Sequence, residues 1–451
     1  MLKILTLLLT STMTIMAGAA ISPALPKIQE HFADIPNADL WVKLLLATPA
    51  LFTAIAGAPV GGLIDRYGRR PFMLGAVLLY GIAGSAGLIF DDLTLLLLSR
   101  ALLGIAVAAI TTISATLIAD YYTGATRVKV LGWQSAAMGL GGVVFVLFGG
   151  FLAEFNWRMP FLIYLVAFIA LPLVWLALPE PARLSNRSTH LNQLSQDHDR
   201  HSLTSANSSD AILTYANEVE RPRSRSTTAN RSTRGRSTST EVIHASVLTA
   251  DDIPTSFFPE PVGLSESAIA TVYGLTVITM VMFYMVPVQL PFYLKQLALG
   301  SSREAGIAIA ISSVATAISA VSYSKLNAKL SFSKVLILLY GLMGLGYSII
   351  ATTHQYGGIL AGLVLSGLGV GLVLPNINVW LNAKTPIARR GKVLGGLTSC
   401  IFLGQFCSPI VLQPIVKAFS IQTSYGIASS ILIFLALSIA ILSWLGWVKL
   451  D

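Results

Sequence analysis

The sequence predicts an all-α membrane protein, with twelve transmembrane helices in two pseudo-symmetric six-helix bundles. Three observations carry this expectation. The 451 residues are 54% hydrophobic and 11% charged, whereas a soluble domain carries about 25% charged residues. The apolar residues gather into twelve runs, each near the ~18 residues that a bilayer crossing needs. Finally, the two halves of the chain share residues at a single fixed offset.

The runs lie near 4–26, 43–63, 72–90, 93–119, 129–153, 160–178, 266–291, 304–324, 334–352, 357–381, 392–416 and 424–447. They are rich in alanine, leucine and glycine and lack two-residue alternation, which excludes a membrane β-barrel. The 37 glycines suit close helix packing in lipid. The first run, with Lys3 before it, has the shape of a signal peptide, but eleven further spans favour a first transmembrane helix. Cys400 and Cys407 lie seven apart in one run. Seven helical residues rise ~10 Å, beyond disulfide reach, so both are read as packing residues.

The net charge of +9 raises the possibility of a nucleic-acid partner, but its distribution speaks for orientation instead. The even-numbered connections and the termini, without the long central connection, hold fourteen Lys and Arg; the odd-numbered connections hold six. The richer side is cytoplasmic by the positive-inside rule, which places both chain ends in the cytoplasm. Residues 180–262 break the apolar pattern and separate a first bundle, 1–179, from a second, 263–451. The stretch from Ser224 to Ser237 is mostly Ser, Thr and Arg. Such a segment buries too little surface to offset its ordering entropy, so a disordered cytoplasmic linker is expected. A phosphorylation site or a lipid head-group contact also fits its composition.

The halves read as copies. At an offset of 263 residues Gly104 falls on Gly367, Lys129 on Lys392, Val130-Leu131-Gly132 on Val393-Leu394-Gly395, and Gly141 on Gly404. The same shift sets Leu63 on Leu326 and Arg66 on Lys329, while Ala328 stands opposite Asp65.

The turn between the second and third runs reads Gly61-Gly62-Leu63-Ile64-Asp65-Arg66-Tyr67-Gly68-Arg69-Arg70. It resembles the G-x-L-x-D-R-x-G-R-R/K loop of the major facilitator superfamily, whose parallel six-helix repeats enclose a midplane substrate site. Ser99-Arg100-Ala101-Leu102-Leu103-Gly104 resembles the family's R-x-x-x-G segment, and Asn156-Trp157-Arg158-Met159-Pro160-Phe161 resembles a W-R-x-P-F segment found in its exporters. The resemblance points most closely to the twelve-helix bacterial drug:proton antiporter branch, and so to a multi-pass protein of a bacterial inner membrane. It implies that Gly61, Asp65, Arg66, Gly68, Arg69, Arg70 and Asp120 form a conformational gate at the cytoplasmic face, with the acid facing the N-terminus of helix 11. A carboxylate gains there from the helix dipole. It further implies a proton-coupling role for Arg100. An ion inside a span is costly and a functional candidate by default, although snorkelling to the head groups is an alternative.

Two departures bear on coupling and direction. The first run carries Thr10-Ser11-Thr12-Met13-Thr14-Ile15-Met16 where many proton-driven exporters have a carboxylate, and no Asp, Glu or His lies near the middle of any run. Glu30 and Asp34, beyond Pro23 and Pro26, are the nearest acids and read as loop residues. In the fifth run Phe145-Val146 occupies the Gly-Pro place of the antiporter motif, although Gly139, Gly141, Gly142, Gly149 and Gly150 are present. In the family helices 1, 4, 7 and 10 line the path, with 5 and 11 beside them. Met13, Met16, Gln134, Met138, Tyr284, Gln289, Asn376, Asn378 and Gln405 are therefore the candidate cavity residues. Pliable thioethers suit variable amphipathic ligands, and Pro375 is expected to break helix 10 beside the two asparagines.

The expected function is proton-coupled efflux of small amphipathic compounds by alternating access. Export of a specific metabolite or metal-chelating molecule, symport or uniport of a small molecule, and a non-transporting receptor or scaffold stay open. No P-loop, metal cluster or catalytic constellation is legible in the sequence. The expected partners are a small-molecule substrate and membrane lipid, with no cofactor beyond a proton gradient, no nucleic acid and a monomeric state.

Overall fold

The computed structural model describes residues 1–180 and 264–445, apart from the side chains of Ala58, Asp65, Val128, Ile387 and Ala388. The expected linker, except for Glu180, lies outside the described residues. Among the described residues twelve helices are long and apolar enough to cross a membrane. Helix α1 runs Leu2–Ala19 and continues, after a 3-10 turn at Ser22–Ala24, as Leu25–His31. It is followed by α2 (Ala38–Tyr67), α3 (Arg69–Ser85), α4 (Leu93–Tyr121) and α5 (Gly124–Phe155). A 3-10 start at Met159–Leu165 leads into α6, Val166–Ala177. The second half holds α7 (Glu266–Gln296), α8 (Ser302–Asn327), α9 (Phe332–Thr352), α10 (Tyr356–Lys384), α11 (Ile387–Ala418) and α12 (Ile421–Trp444). Among the described residues there is no strand.

The helix ends follow local chemistry. Asp92, Ser265 and Ser420 cap α4, α7 and α12 by accepting from the backbone N–H three residues on. Ser301 and Glu304 form a reciprocal capping box on α8. Two boundaries differ from the sequence expectation. Glu30 is helical, in the second part of α1. Helix α10 runs unbroken through Pro375, because its packing on α8 holds it in register: a Cβ at Gly371 would lie 2.2 Å from the Thr316 carbonyl oxygen.

Each lobe is stapled by tyrosines whose hydroxyls donate to backbone carbonyls. In the first, Tyr80 on α3 reaches the Met13 oxygen and Tyr164, in the 3-10 start of the sixth span, the Ala17 oxygen, both on α1. In the second, Tyr347 on α9 reaches the Met282 oxygen on α7. The ring pair Tyr80–Tyr164, 5.8 Å between centroids, has its counterpart in Tyr347–Tyr425 at 5.4 Å. Each lobe thus pairs tyrosines of its third and sixth spans, although at the 263-residue offset Tyr80 falls on Met343 and Tyr164 on Ile427.

Between the lobes α5 packs on α8 and α2 on α11. At the α5–α8 crossing a Cβ on Gly150 would lie 2.8 Å from the Ser302 carbonyl and 3.1 Å from the Gly306 Cα. Helices alternate in direction, so one end carries the N-terminus and the α2–α3 turn; we call it the proximal end, and the other the distal end. The Lys3 ammonium 5.4 Å from the Tyr121 ring marks the proximal end of the first lobe.

Within the first lobe a Cβ on Gly149 would sit 2.0 Å from the Ala20 carbonyl oxygen, whereas one on Gly75 meets nothing within 4 Å. Gly149→Val is expected to lower the thermal midpoint in detergent, at a cost of about 1–3 kcal/mol of overpacking. Gly75→Ala should stay within about 0.5 kcal/mol of the parent.

Candidate functional site

The proximal turn is built around Gly68, which joins α2 to α3 at φ +97°. An L side chain is strained there, so only glycine lets the two helices follow each other directly. The backbone N–H groups of Arg69 and Arg70 donate to the Glu180 carboxylate at 2.8 and 2.7 Å, an acid at a helix N-terminus where its charge is favoured. The Arg69 guanidinium pairs with Asp120 at the end of α4. That of Arg70 donates to the Trp175 carbonyl on α6 and lies 4.6 Å from the Trp175 ring. The Arg66 guanidinium rests 5.5 Å from the Tyr67 ring. A Cβ on Gly61 would meet nothing within 4 Å. The Asp65 side chain lies outside the described residues. The described partners of Arg69, Arg70 and Asp120 thus tie the ends of α3, α4 and α6 within one lobe. Glu180, which sequence reading leaves in the linker, belongs to this cluster; its signal is an acid following the final Pro179 of the sixth span.

About two turns from the distal start of α4, Arg100 is fully buried. One guanidinium nitrogen donates to the Ala83 and Gly84 carbonyls on α3 at 3.0 and 2.7 Å. The group also lies 5.1 Å from the Phe161 and Tyr164 rings. Its Nε and other terminal nitrogen have no hydrogen-bond partner. Glu30 pairs with Lys295 of the second lobe, and Asp34 is exposed after α1.

The cavity candidates divide into three groups. Met13 and Met16 are buried in the first lobe's apolar core, and Asn376 is bonded to Tyr323 and the Phe332 carbonyl within the second. Met138, Asn378 and Gln405 are half-exposed, as is Gln134, whose amide donates to the Ser11 hydroxyl at 2.8 Å. Tyr284 joins the lobes by donating to the Leu46 carbonyl at 2.9 Å. Gln289, five residues further along α7, is fully buried with both amide atoms unpartnered.

The described hydrogen bonds that cross between lobes gather toward the distal end. Ser22 donates to the Pro287 carbonyl, and the Arg303 N–H to the Glu154 carboxylate at 2.8 Å. Lys43 donates to the Gln413 amide oxygen at 2.6 Å, and the Gln413 amide nitrogen to Asp39. Lys417 reaches Asn37 at 3.1 Å and Asp39 at 3.2 Å. Sequence reading places Lys43 at a span edge; the fold buries it to 3% exposure. Its signal is a lysine one helical turn beyond Asp39, at the start of an apolar run.

On the distal face of the first lobe, His31 and Arg158 both contact the Asp91 carboxylate, at 2.5 and 2.8 Å. The His31 hydrogen bond, with help from Arg158, holds the Asp91 carboxyl below its usual range against partial desolvation. Among the described residues no three His, Cys, Asp or Glu side chains gather as a metal site would require.

The sequence profile of the Major Facilitator Superfamily matches residues 7–287 and 272–449. Over 147 residues the chain is 35% identical to the class B tetracycline resistance protein of Escherichia coli, covering 32% of this chain and 35% of that protein. Over 181 residues it is 33% identical to multidrug resistance protein 1 of Bacillus subtilis, covering 40% and 46% respectively. The chain therefore spans less than half the length of these relatives. The solved structure of a D-xylose-proton symporter superposes with a TM-score of 0.68 at 18% identity, covering 97% of this chain and 96% of that one, a likeness of fold.

Because the Asp91 carboxyl is held low, its contribution to stability is complete above the ordinary carboxylate pKa of about 3.9 and is lost as pH falls through the depressed folded value. The His31 ring lies 4.8 Å from the Trp157 ring, tilted by 34°. Acidification should therefore change Trp157 emission, and Asp91→Asn should remove that acid step.

Proposed function

The chain belongs to the major facilitator superfamily, and we propose that it is a secondary transporter that works by alternating access and exports small amphipathic compounds in exchange for protons. It is an integral multi-pass protein of a transporter family, not an enzyme. The observation that carries the alternating-access reading is the distribution of interlobe bonds. Two six-helix lobes meet along α2–α11 and α5–α8, and the polar contacts between them gather toward the distal end. With the basic proximal side cytoplasmic, this is an inward-facing arrangement in the plasma membrane of a bacterium, with both chain ends inside. The proximal gate residues then spend their charges within their own lobe, and the acid at position 65 meets α11 when that gate shuts.

Efflux of amphipathic compounds is supported by the names of the similar proteins, which describe resistance to tetracycline and to multiple drugs. Half-exposed Met138, Asn378 and Gln405, with few charges around them, suit soft and variable contacts. A more specific solute is the second reading, and Gln289 favours it. A buried amide without a partner discriminates strongly for a ligand that bonds it. Proton coupling runs in this proposal through Arg100 and the proximal acids. The protein acts as a monomer in lipid, driven by the proton gradient and without a bound cofactor or nucleic acid.

Purified protein in liposomes with an imposed pH gradient should move a fluorescent amphipathic cation against its own gradient. Transport indifferent to collapse of the proton gradient would reduce the reading to uniport. Arg100→Ala, with wild-type protein levels, is expected to lower turnover at least tenfold. Full activity would leave Arg100 a clamp between α3 and α4. Asp65→Asn should shift proximal cysteine accessibility toward the open state, and an unchanged labelling rate would remove the gate assignment.

A further inference from the structure

We infer that Lys43 and Gln413 form a latch that holds the distal end shut, and that this buried contact shifts the balance between the two access states. The inference rests on the alternating-access reading and assigns it a specific pair of side chains. A contact can govern that balance only if it joins the lobes, because a bond within one lobe moves with it. Lys43 lies on α2 and Gln413 on α11, one of the two interlobe seams. The ammonium donates to the amide oxygen at 2.6 Å, and both side chains are almost wholly buried, at 3% and 5% exposure.

The pair is extended at both ends. The Gln413 amide nitrogen donates to Asp39 in the first turn of α2, and Asp39 also receives Lys417 from the last turn of α11 at 3.2 Å. Lys417 in turn donates to Asn37, which precedes α2 in the left-handed conformation, at φ +58°. The Asn37 side chain makes no capping bond to α2 and serves the other lobe instead. On a third helix, α7, the Phe292 ring lies 5.0 Å from the Lys43 ammonium, within cation–π range. The chain of partners therefore ties α2 to α7 and α11 together.

Comparison with the exposed ionic crossing on α1 and α7 shows what burial adds. Glu30 and Lys295 pair across the lobes with 59% and 49% of their side-chain surface exposed. Water competes for such a pair, and exposed pairs are worth little. Removing one partner of a buried pair leaves an uncompensated polar group, which is costly. The residue types also suit a reversible seal. Once the distal end opens, water re-solvates the ammonium and the amide, so the latch releases without stranding a buried group. Apolar side chains in these positions would be exposed to water by the same movement.

The test reads distal separation directly, so it does not depend on finding a transported compound. Spin labels at Ile35→Cys and Phe419→Cys, with Cys400 and Cys407 replaced by serine, report the gap by pulsed electron double resonance in nanodiscs without substrate. The parent should give a dominant short distance. Lys43→Met and, from the opposite lobe, Gln413→Leu should each raise the long-distance population at least threefold. The double variant should go no further than Gln413→Leu, which already removes the Lys43 contact together with the bond to Asp39. Lys43→Arg, which keeps a donor, should restore the short distance, and Glu30→Gln should leave the parent distribution unchanged. Parent-like distributions in both Lys43→Met and Gln413→Leu overturn the latch, as does Glu30→Gln opening the distal end as far as they do. If the distances shift while the liposomes move no compound, the latch stands and the transport reading fails. The reverse result retains transport and removes the latch.

Discussion

A chain immersed in hydrocarbon has to satisfy its polar groups from within, and this constraint organises the whole structure. Helices satisfy their own backbones, which leaves the side-chain hydroxyls, amides and charges to be placed. The tyrosines of α3, the sixth span and α9 use their hydroxyls on carbonyls of α1 and α7. Thr and Ser within the spans fold back on the preceding turn, as Thr10 does on Thr6 and Thr276 on Val272. Against that background the polar groups that do not serve their own helix or lobe stand out. Among them are Gln289, whose amide has no partner, and the Lys43–Gln413 pair, whose members sit on opposite lobes.

The lobes repeat one order of six spans but differ in polarity. Arg100 lies against Tyr164 in the first lobe; at the same offset the second has Leu363, fully buried. Tyr164 bonds the Ala17 carbonyl, whereas its counterpart Tyr425 has a hydroxyl with no partner. The charge-bearing turn after α2 likewise has an attenuated copy, with Lys329 opposite Arg66 and Ala328 opposite Asp65. The first lobe thus holds most of the ionic chemistry, and the second presents amides and hydroxyls.

Much of the fold was legible because hydropathy and glycine spacing report it directly. Twelve apolar runs mark twelve helices among the described residues, and the 263-residue shift that pairs Lys129 with Lys392 marks the repeat of α5 in α11. The site was legible in part. The turn at Gly68 could be read from residue types, since positive φ demands glycine. Burial of individual side chains could not be read: Met13, Met16 and Asn376 stand on helices that line the path in the family, and each is buried within its own lobe. Lys43 was missed for the complementary reason. At the edge of an apolar run a lysine reads as solvated, and only its partner 370 positions away in sequence shows that it is not. Glu180 was lost to a boundary drawn by composition, since its role depends on a helix start more than a hundred residues earlier.

The glycine crossing at Gly150 and Gly306 has a mechanical corollary. With no side chain between them, the α5 and α8 backbones touch, and the contact lies near the distal ends of both helices. A tilt of one lobe that preserves this contact has its fulcrum there. The lever arm from that fulcrum to the opposite membrane surface is close to the full hydrocarbon thickness of ~30 Å. Small angular changes at the crossing are therefore magnified into wide displacements at the far mouth, while the fulcrum itself barely shifts.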